Sequence, residues 1–186
     1  SMNRCIENAT GDYLCIWNVD DLRTPDSIEI MAKVLDDNPD VDLVYGNYVI
    51  VSKFGETKGQ FVDVEPHIPE LKEGMILGPF FMFRKSLIEK SGLFDEQLIQ
   101  GPDYDLALRL VRNGKAHFIP DNLGYYLNEG LGMSTKPNSK QPIERTVIEL
   151  RYNVRVLEPQ LVPHTREYDV ENIIVDEEKI PVSNFI

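Results

Sequence analysis

The stretch GDYLCIWNVDDLRTP, residues 11–25, decides how the chain is read. Residues 12–19 have strand-forming character, with Leu14, Ile16 and Val19 apolar and Tyr13, Cys15 and Trp17 between them. A run that is apolar on both faces predicts a strand buried inside an α/β sheet, with Trp17 packed into the core. The run ends on two adjacent carboxylates, Asp20 and Asp21. Thr24 then reads as the cap of a helix whose first position is Pro25. Ile28, Met31, Ala32 and Leu35 give that helix one apolar face. Upstream, residues 3–10 read as the end of a helix, with Gly11 in the left-handed cap position.

The carboxyl end of a strand in an open α/β sheet is where ligands bind. Two carboxylates side by side repel each other unless a cation or a donor neutralises them. A hard divalent cation is the simplest neutraliser, and Mg²⁺ commonly shares its shell with substrate phosphates. The dipeptide also reads as a plain turn with helix-capping acids. A second acidic cluster bears on the choice. In GPDYDLALRL, residues 101–110, Asp103 and Asp105 fall in the first turn of a helix with Leu106 and Leu110 inward and Gly114 as its stop. The helix dipole favours carboxylates there, and the Gly101-Pro102 corner points to presentation of Asp103 at a cleft. A carboxylate pair for a metal and a single carboxylate for proton abstraction make a transferase site.

Working outward, residues 41–52 read as a strand or pair of strands followed by a turn at Gly55, and residues 56–73 as an acidic, proline-bearing surface loop. A strand at 80–84 leads into a short helix from Ser86 to Gly92. KAHFIP (115–120) and LGYYLN (123–128) read as two strands, residues 142–156 as a helix, and 159–186 as an arm containing the strand NIIVD. Alternating strands and helices predict α/β layers around a mixed sheet.

The 186 residues suffice for one sizeable core. A formal charge of −12 argues against a nucleic-acid partner, although an acidic site accommodates a polyanion when a divalent cation sits between them. Two cysteines, Cys5 and Cys15, give neither a disulfide framework nor a metal-type spacing. They suit a reducing, cytoplasmic setting. No run of eighteen apolar residues occurs, so no transmembrane segment is predicted.

These features resemble family 2 glycosyltransferases, which have the GT-A fold. NRCIENATGDYLCIWNVDDLRTPDSI resembles the middle of that family, with Asn3, Gly11, Tyr13, Asp20, Asp21 and Pro25 matching its pattern. FRKSLIEKSGLFDEQLIQGPDYDLALRLVRNGKAHFIP resembles its second half through Phe94, Asp95, Glu96, Asp103, Asp105, Arg109 and Gly114, and YYLNEGLGMS resembles the close of the domain. The similarity covers roughly residues 3–135. It implies transfer of a sugar from a nucleotide diphosphate sugar to the hydroxyl of a glycan or other acceptor, with inversion. It further implies Mg²⁺ or Mn²⁺ held by Asp20 and Asn128, nucleotide-sugar contacts from Asn3, Asn18, Asp20 and Asp21, and Asp103 as general base.

Three positions depart from the family. Asn18 replaces the first Asp of the motif, Pro102 replaces the glutamate before the base, and Asn128 stands where a histidine often helps hold the metal. Family members also begin with nucleotide-binding strands that have no counterpart here. The expectation is a truncated GT-A-like domain at 1–140 with a C-terminal helix and extended arm at 141–186. Its sheet would have an open edge, covered by the tail or by a second copy in a homo-oligomer. The alternative is a non-catalytic remnant that binds a glycan or a partner. Arg84-Lys85 reads as a solvated pair, and His67, His117 and His164 carry no ligand spacing. Gly78-Pro79 falls where the family lets a ligand approach the backbone.

Overall fold

The computed structural model describes residues 2–64, 77–130, 132, 136–152, 159–175 and 178–181. The helices are α1 (Met2–Asn8), α2 (Ser27–Asp37), α3 (Leu87–Ser91), α4 (Pro102–Asn113) and α5 (Gln141–Tyr152). The strands are β1 (Tyr13–Cys15), β2 (Leu22–Arg23), β3 (Leu43–Val51), β4 (Gln60–Val62), β5 (Phe81–Arg84), β6 (Ala116–Leu127), β7 (Asn172–Val175) and β8 (Glu178–Pro181). A 3₁₀ helix spans Pro159–Glu167.

One mixed sheet has the order β1-β5-β3-β6-β2, with β4 hairpinned onto β3. The period-2 alternation of β3 and β5 explains the two layers that cover it. Leu43, Tyr45, Phe81 and Phe83 face one side, where Leu87 of α3 and Leu106, Ala107 and Leu110 of α4 pack. Val44, Phe80 and Met82 face the other, against Met31 and Leu35 of α2. Each such buried side chain contributes about 1.5–3 kcal/mol. The α/β expectation holds, with helices on both faces of a mixed sheet.

Several local expectations are corrected. α1 stops at Asn8, and Gly11 does not take a left-handed backbone. The strand expected over 12–19 is only Tyr13–Cys15, half-buried at the edge of the sheet rather than sunk within it. Thr24 does not cap α2. Asp26 occupies that position without a side-chain cap, because the Thr24 hydroxyl donates to the Asn122 carbonyl at 3.2 Å. KAHFIP and LGYYLN form the single strand β6, which passes through Pro120. The pairing with β3 shifts register there, and a register break is where a strand tolerates proline. Asn47 fills the gap, its amide donating to the Pro120 carbonyl and its oxygen accepting the Val64 amide. Gly46 beside it admits no side chain, since a Cβ would lie 2.5 Å from the Ile119 carbonyl oxygen.

Arg84 and Lys85 are not solvated. Arg84 donates to the carbonyls of Val41, Leu35 and Asn38, tying the end of α2 to β5, and Lys85 donates to the Ala9 carbonyl. The tail strands β7 and β8 pair with each other in a separate two-stranded sheet, so among the described residues the tail does not extend the β1 edge. The expected loop and helix residues 65–73 and 153–156 lie outside the described residues, as do His67 and most of the GLGMS stretch.

Candidate active site

The strand directions place the acidic clusters. β1 and β3 each pair antiparallel with β5, so they run the same way, and β3 pairs parallel with β6. The carboxyl ends of all three strands therefore share one end of the sheet. Residues 16–21 leave β1 and cross that end to reach β2, which pairs with β6 at the opposite edge. α4 feeds through Gly114 into the start of β6, so its amino end, with Asp103, lies toward the same end.

Within the crossing, Asp20 is exposed and Asp21 is buried. The Asp21 carboxylate accepts the Asn18 side-chain amide at 3.0 Å and the Leu127 backbone amide at 3.0 Å. Burial pushes the Asp21 carboxyl above its ordinary range, and those two bonds pull it partly back. Asn18 in place of an aspartate thus provides a donor to a buried carboxylate, where a further acid would repel it. The antiparallel register sets Leu22 opposite Tyr125. The ladder stops there, because residues 19 and 20 form a turn, and beyond it the Asp21–Leu127 bond is what holds the crossing to the end of β6. Asn128, the next residue, is exposed, and its side-chain oxygen accepts the Gly130 amide at 3.3 Å.

Trp17 is 55% exposed, overturning its expected place in the core. β1 ends at Cys15, so Trp17 lies beyond the sheet, in the segment that crosses its end. Its indole N–H donates to the Asp21 carbonyl at 3.1 Å, and the Arg23 guanidinium lies 5.4 Å from its ring centroid. Phe80 packs on Arg23 as well, at 5.2 Å. Arg23 donates through Nη2 to the Ile16 carbonyl, while its buried Nε and Nη1 have no hydrogen-bond partner among the described residues. Gly78, with φ of +66°, closes against Tyr48 near the same end.

Asn3 is held elsewhere. Its side-chain amide pairs with both backbone groups of Phe94, accepting the N–H at 2.8 Å and donating to the carbonyl at 3.0 Å. It fastens α1 to the turn that precedes α4.

Asp103 and Asp105 part ways on α4. Asp105 is buried and structural, accepting Arg109 through two nitrogens and the Tyr152 hydroxyl at 2.7 Å. Asp103 retains surface open to water, yet protein crowds its carboxyl on the remaining sides, and that burial pushes the group above its ordinary range. The Tyr104 backbone amide, at 2.9 Å, works in the opposite direction.

Sequence reasoning passed over Glu144. Fully buried on α5, its carboxylate accepts the backbone amides of Ile99, Gln100 and Gly101 and the Tyr168 hydroxyl. Its only signal was a carboxylate inside an apolar helical face.

No group of three or more His, Cys, Asp or Glu able to hold a metal occurs among the described residues. Asp20 and Asn128 are both exposed and both carry side-chain oxygens, the ligand type that Mg²⁺ takes in ones and twos while completing its shell with phosphates and water.

Residues 1–92 match the family model described as glycosyl transferase family 2. An uncharacterized glycosyltransferase of Methanocaldococcus jannaschii is 28% identical over 120 residues, covering 61% of this chain and 40% of that protein. One from Rickettsia typhi is 30% identical over 129 residues, 63% of this chain and 40% of its own length. The chain thus spans less than half the length of these relatives. Among solved structures, S. aureus TarS 1-349 in complex with UDP-GlcNAc superimposes with a TM-score of 0.58 at 20% identity, covering 86% of this chain and 48% of that one. S. aureus TarS 1-349 alone gives 0.55 at 18% identity over 89% of this chain and 48% of that one. The likeness is one of fold, a GT-A-like mixed sheet with flanking helices. No helix among the described residues is long and apolar enough to cross a membrane.

Proposed function

We propose that this chain, which carries a glycosyl transferase family 2 domain of GT-A-like fold, serves transfer of a sugar from a nucleotide diphosphate sugar to an acceptor hydroxyl with inversion. The reading is supported by the topology, in which the amino end of α4, with Asp103, lies toward the end of the sheet that the Asp20 segment crosses. In the proposed site, Asp103 accepts the proton of the acceptor hydroxyl as that oxygen attacks the anomeric carbon from the side opposite the leaving diphosphate, which inverts configuration. Burial that raises its carboxyl improves its match to that task near neutral pH.

Asn18 and Asp20 contact the donor, with Asp21 and Asn3 acting from behind: Asp21 fixes the crossing on β6, and Asn3 fixes the turn before α4. Asp20 and Asn128 are the residues that would hold Mg²⁺ or Mn²⁺. A bound cation supplies charge that offsets the departing diphosphate. The binding of UDP and UDP-GlcNAc named for the TarS structures makes uridine nucleotides the first donors to try. The two free cysteines suit a reducing, cytoplasmic setting. The edge strand β1, which pairs only with β5 among the described residues, supports self-association as a homo-oligomer.

The alternative reading is a non-catalytic glycan- or partner-binding module. Calorimetry with UDP-GlcNAc and Mn²⁺, followed by a transfer assay with NMR of the product's anomeric centre, separates the two. Donor binding with transfer and inversion supports the enzyme. Acceptor binding without donor binding supports the module.

A further inference from the structure

We propose that Glu144 is a positioning residue for Asp103, so that α5 and the segment after it form part of the scaffold of the acceptor side. This rests on the reading of Asp103 as the general base.

The turn from Phe94 to Gly101 enters α4 two residues before Asp103 and lacks regular structure of its own. Such a segment has unpaired backbone amides, and buried amides need partners. Glu144 provides them. One oxygen accepts Ile99 at 3.0 Å, Gln100 at 2.6 Å and Gly101 at 2.9 Å, while the other accepts the Tyr168 hydroxyl at 3.2 Å. Burial first and then Glu144 push the Tyr168 hydroxyl up to about 12, which keeps it a donor. An ionised acceptor makes each of these bonds stronger than a neutral one does.

The rest of the turn is fastened from the same side. Arg151 pairs with Asp95, the Asp169 amide donates to Gln97, and the Ser139 hydroxyl donates to Gln100 at 2.6 Å. Gly101 lies against Ile148, one turn along α5 from Glu144. Leu98, Tyr104 and Leu108 then pack on Val147 and Ile148, so the α4–α5 interface continues from this corner. The position of Asp103 is thereby set by an amino end that α5 holds rather than by α4 alone. Catalytic groups tolerate errors of well under an ångström, so a corner held at three successive amides bears on chemistry as well as on stability.

Glu144→Gln tests this. It keeps the shape, but its NH₂ faces backbone donors that the carboxylate had satisfied. Glu149→Gln is the control: Glu149 is as deeply buried on α5, pairs with Arg145 and acts on the Tyr104 phenol of α4. Asp103 is titrated by carboxyl-detected NMR, and amide exchange is followed at residues 99–101. In Glu144→Gln the Asp103 midpoint should fall toward the ordinary carboxylate range, and the three amides should exchange at least about tenfold faster. Glu149→Gln should lower the melting temperature and leave both signals in place. Tyr168→Phe, which removes one hydroxyl and no backbone bond, should give a smaller shift in the same direction and stands in should Glu144→Gln fail to fold. An Asp103 midpoint unmoved in a folded Glu144→Gln, or in Tyr168→Phe where Glu144→Gln does not fold, overturns the proposal. Neither readout uses donor or acceptor, so an inactive transfer assay would count against the proposed function and leave this inference standing.

Discussion

The Asp21 carboxylate and the Leu127 backbone amide meet at 3.0 Å, joining the segment that crosses the end of the sheet to the last residue of β6. Through this bond the carboxylate next to Asp20 ties the crossing to the strand that precedes Asn128. The buried aspartate organises the crossing, and its neighbour Asp20 stays exposed.

Replacing Asp21 by Asn should therefore preserve the corner. The sign follows from burial. An acid whose folded pKa is raised is ionised at a cost in the fold, so its contribution to stability falls as pH rises from the unfolded value through the folded one, and stays low above it. Asn retains an acceptor for Leu127 and carries no charge. Melting curves across the weakly acidic to neutral range should show Asp21→Asn at least as stable as wild type at neutral pH, with a flatter pH dependence. A loss of several degrees would mean that the ionised bonds outweigh the burial.

Asp20→Ala should abolish nucleotide binding that depends on Mn²⁺. The chain has a single tryptophan, Trp17, half-exposed and tied to the same corner, so its fluorescence reports the site directly. Titration with UDP and Mn²⁺ should give a saturable change in wild type, with affinity weakened at least about tenfold, or 1.4 kcal/mol, in Asp20→Ala. Equal affinity in both proteins would remove Asp20 from the site.

Asp103→Asn should lower transfer by about 10²–10⁴-fold and leave nucleotide affinity within about twofold. The raised carboxyl has the same sign as Asp21, so the neutral variant should be no less stable at neutral pH. In wild type the acid limb of the transfer profile should lie above the ordinary aspartate range, since the base must first lose its proton. A profile flat through that range would argue against Asp103 as the base.

Arg84→Ala should destabilise the chain by about 3 kcal/mol in urea unfolding, because the carbonyls of Val41, Leu35 and Asn38 lose a charged donor at once. Arg84→Lys keeps the charge at the end of α2 and lacks the fork, so it should recover less than half. Neither change should alter nucleotide affinity.

The sequence made the helices legible through their period and stops: Gly92 and Gly114 end α3 and α4, and Met31 and Leu35 are buried as the apolar face required. Asp103 at the first turn of α4 was legible for the same reason. Trp17 was misread because alternation reveals an apolar run but not where the strand stops, and β1 ends two residues before it. Pro120 suggested two strands, since the repair by Asn47 comes from a residue far away in sequence. Arg84 was misread as solvated and Glu144 was passed over because their partners are mainly backbone atoms, which carry no sequence signature.

The parallel pairing of β3 with β6 bears on how the chain folds. It sets Val44 beside His117, and all of β5, α3 and α4 lie between them in sequence. A parallel ladder of that reach closes a large loop before any of its bonds repay the lost entropy. The intervening β5–α3–α4 unit, built from local contacts, shortens the effective loop. Among the described residues β1 pairs only with β5, so it has no ladder to join until that unit exists. The segment bearing Asp20, which follows β1, is consequently expected to take its shape after that unit.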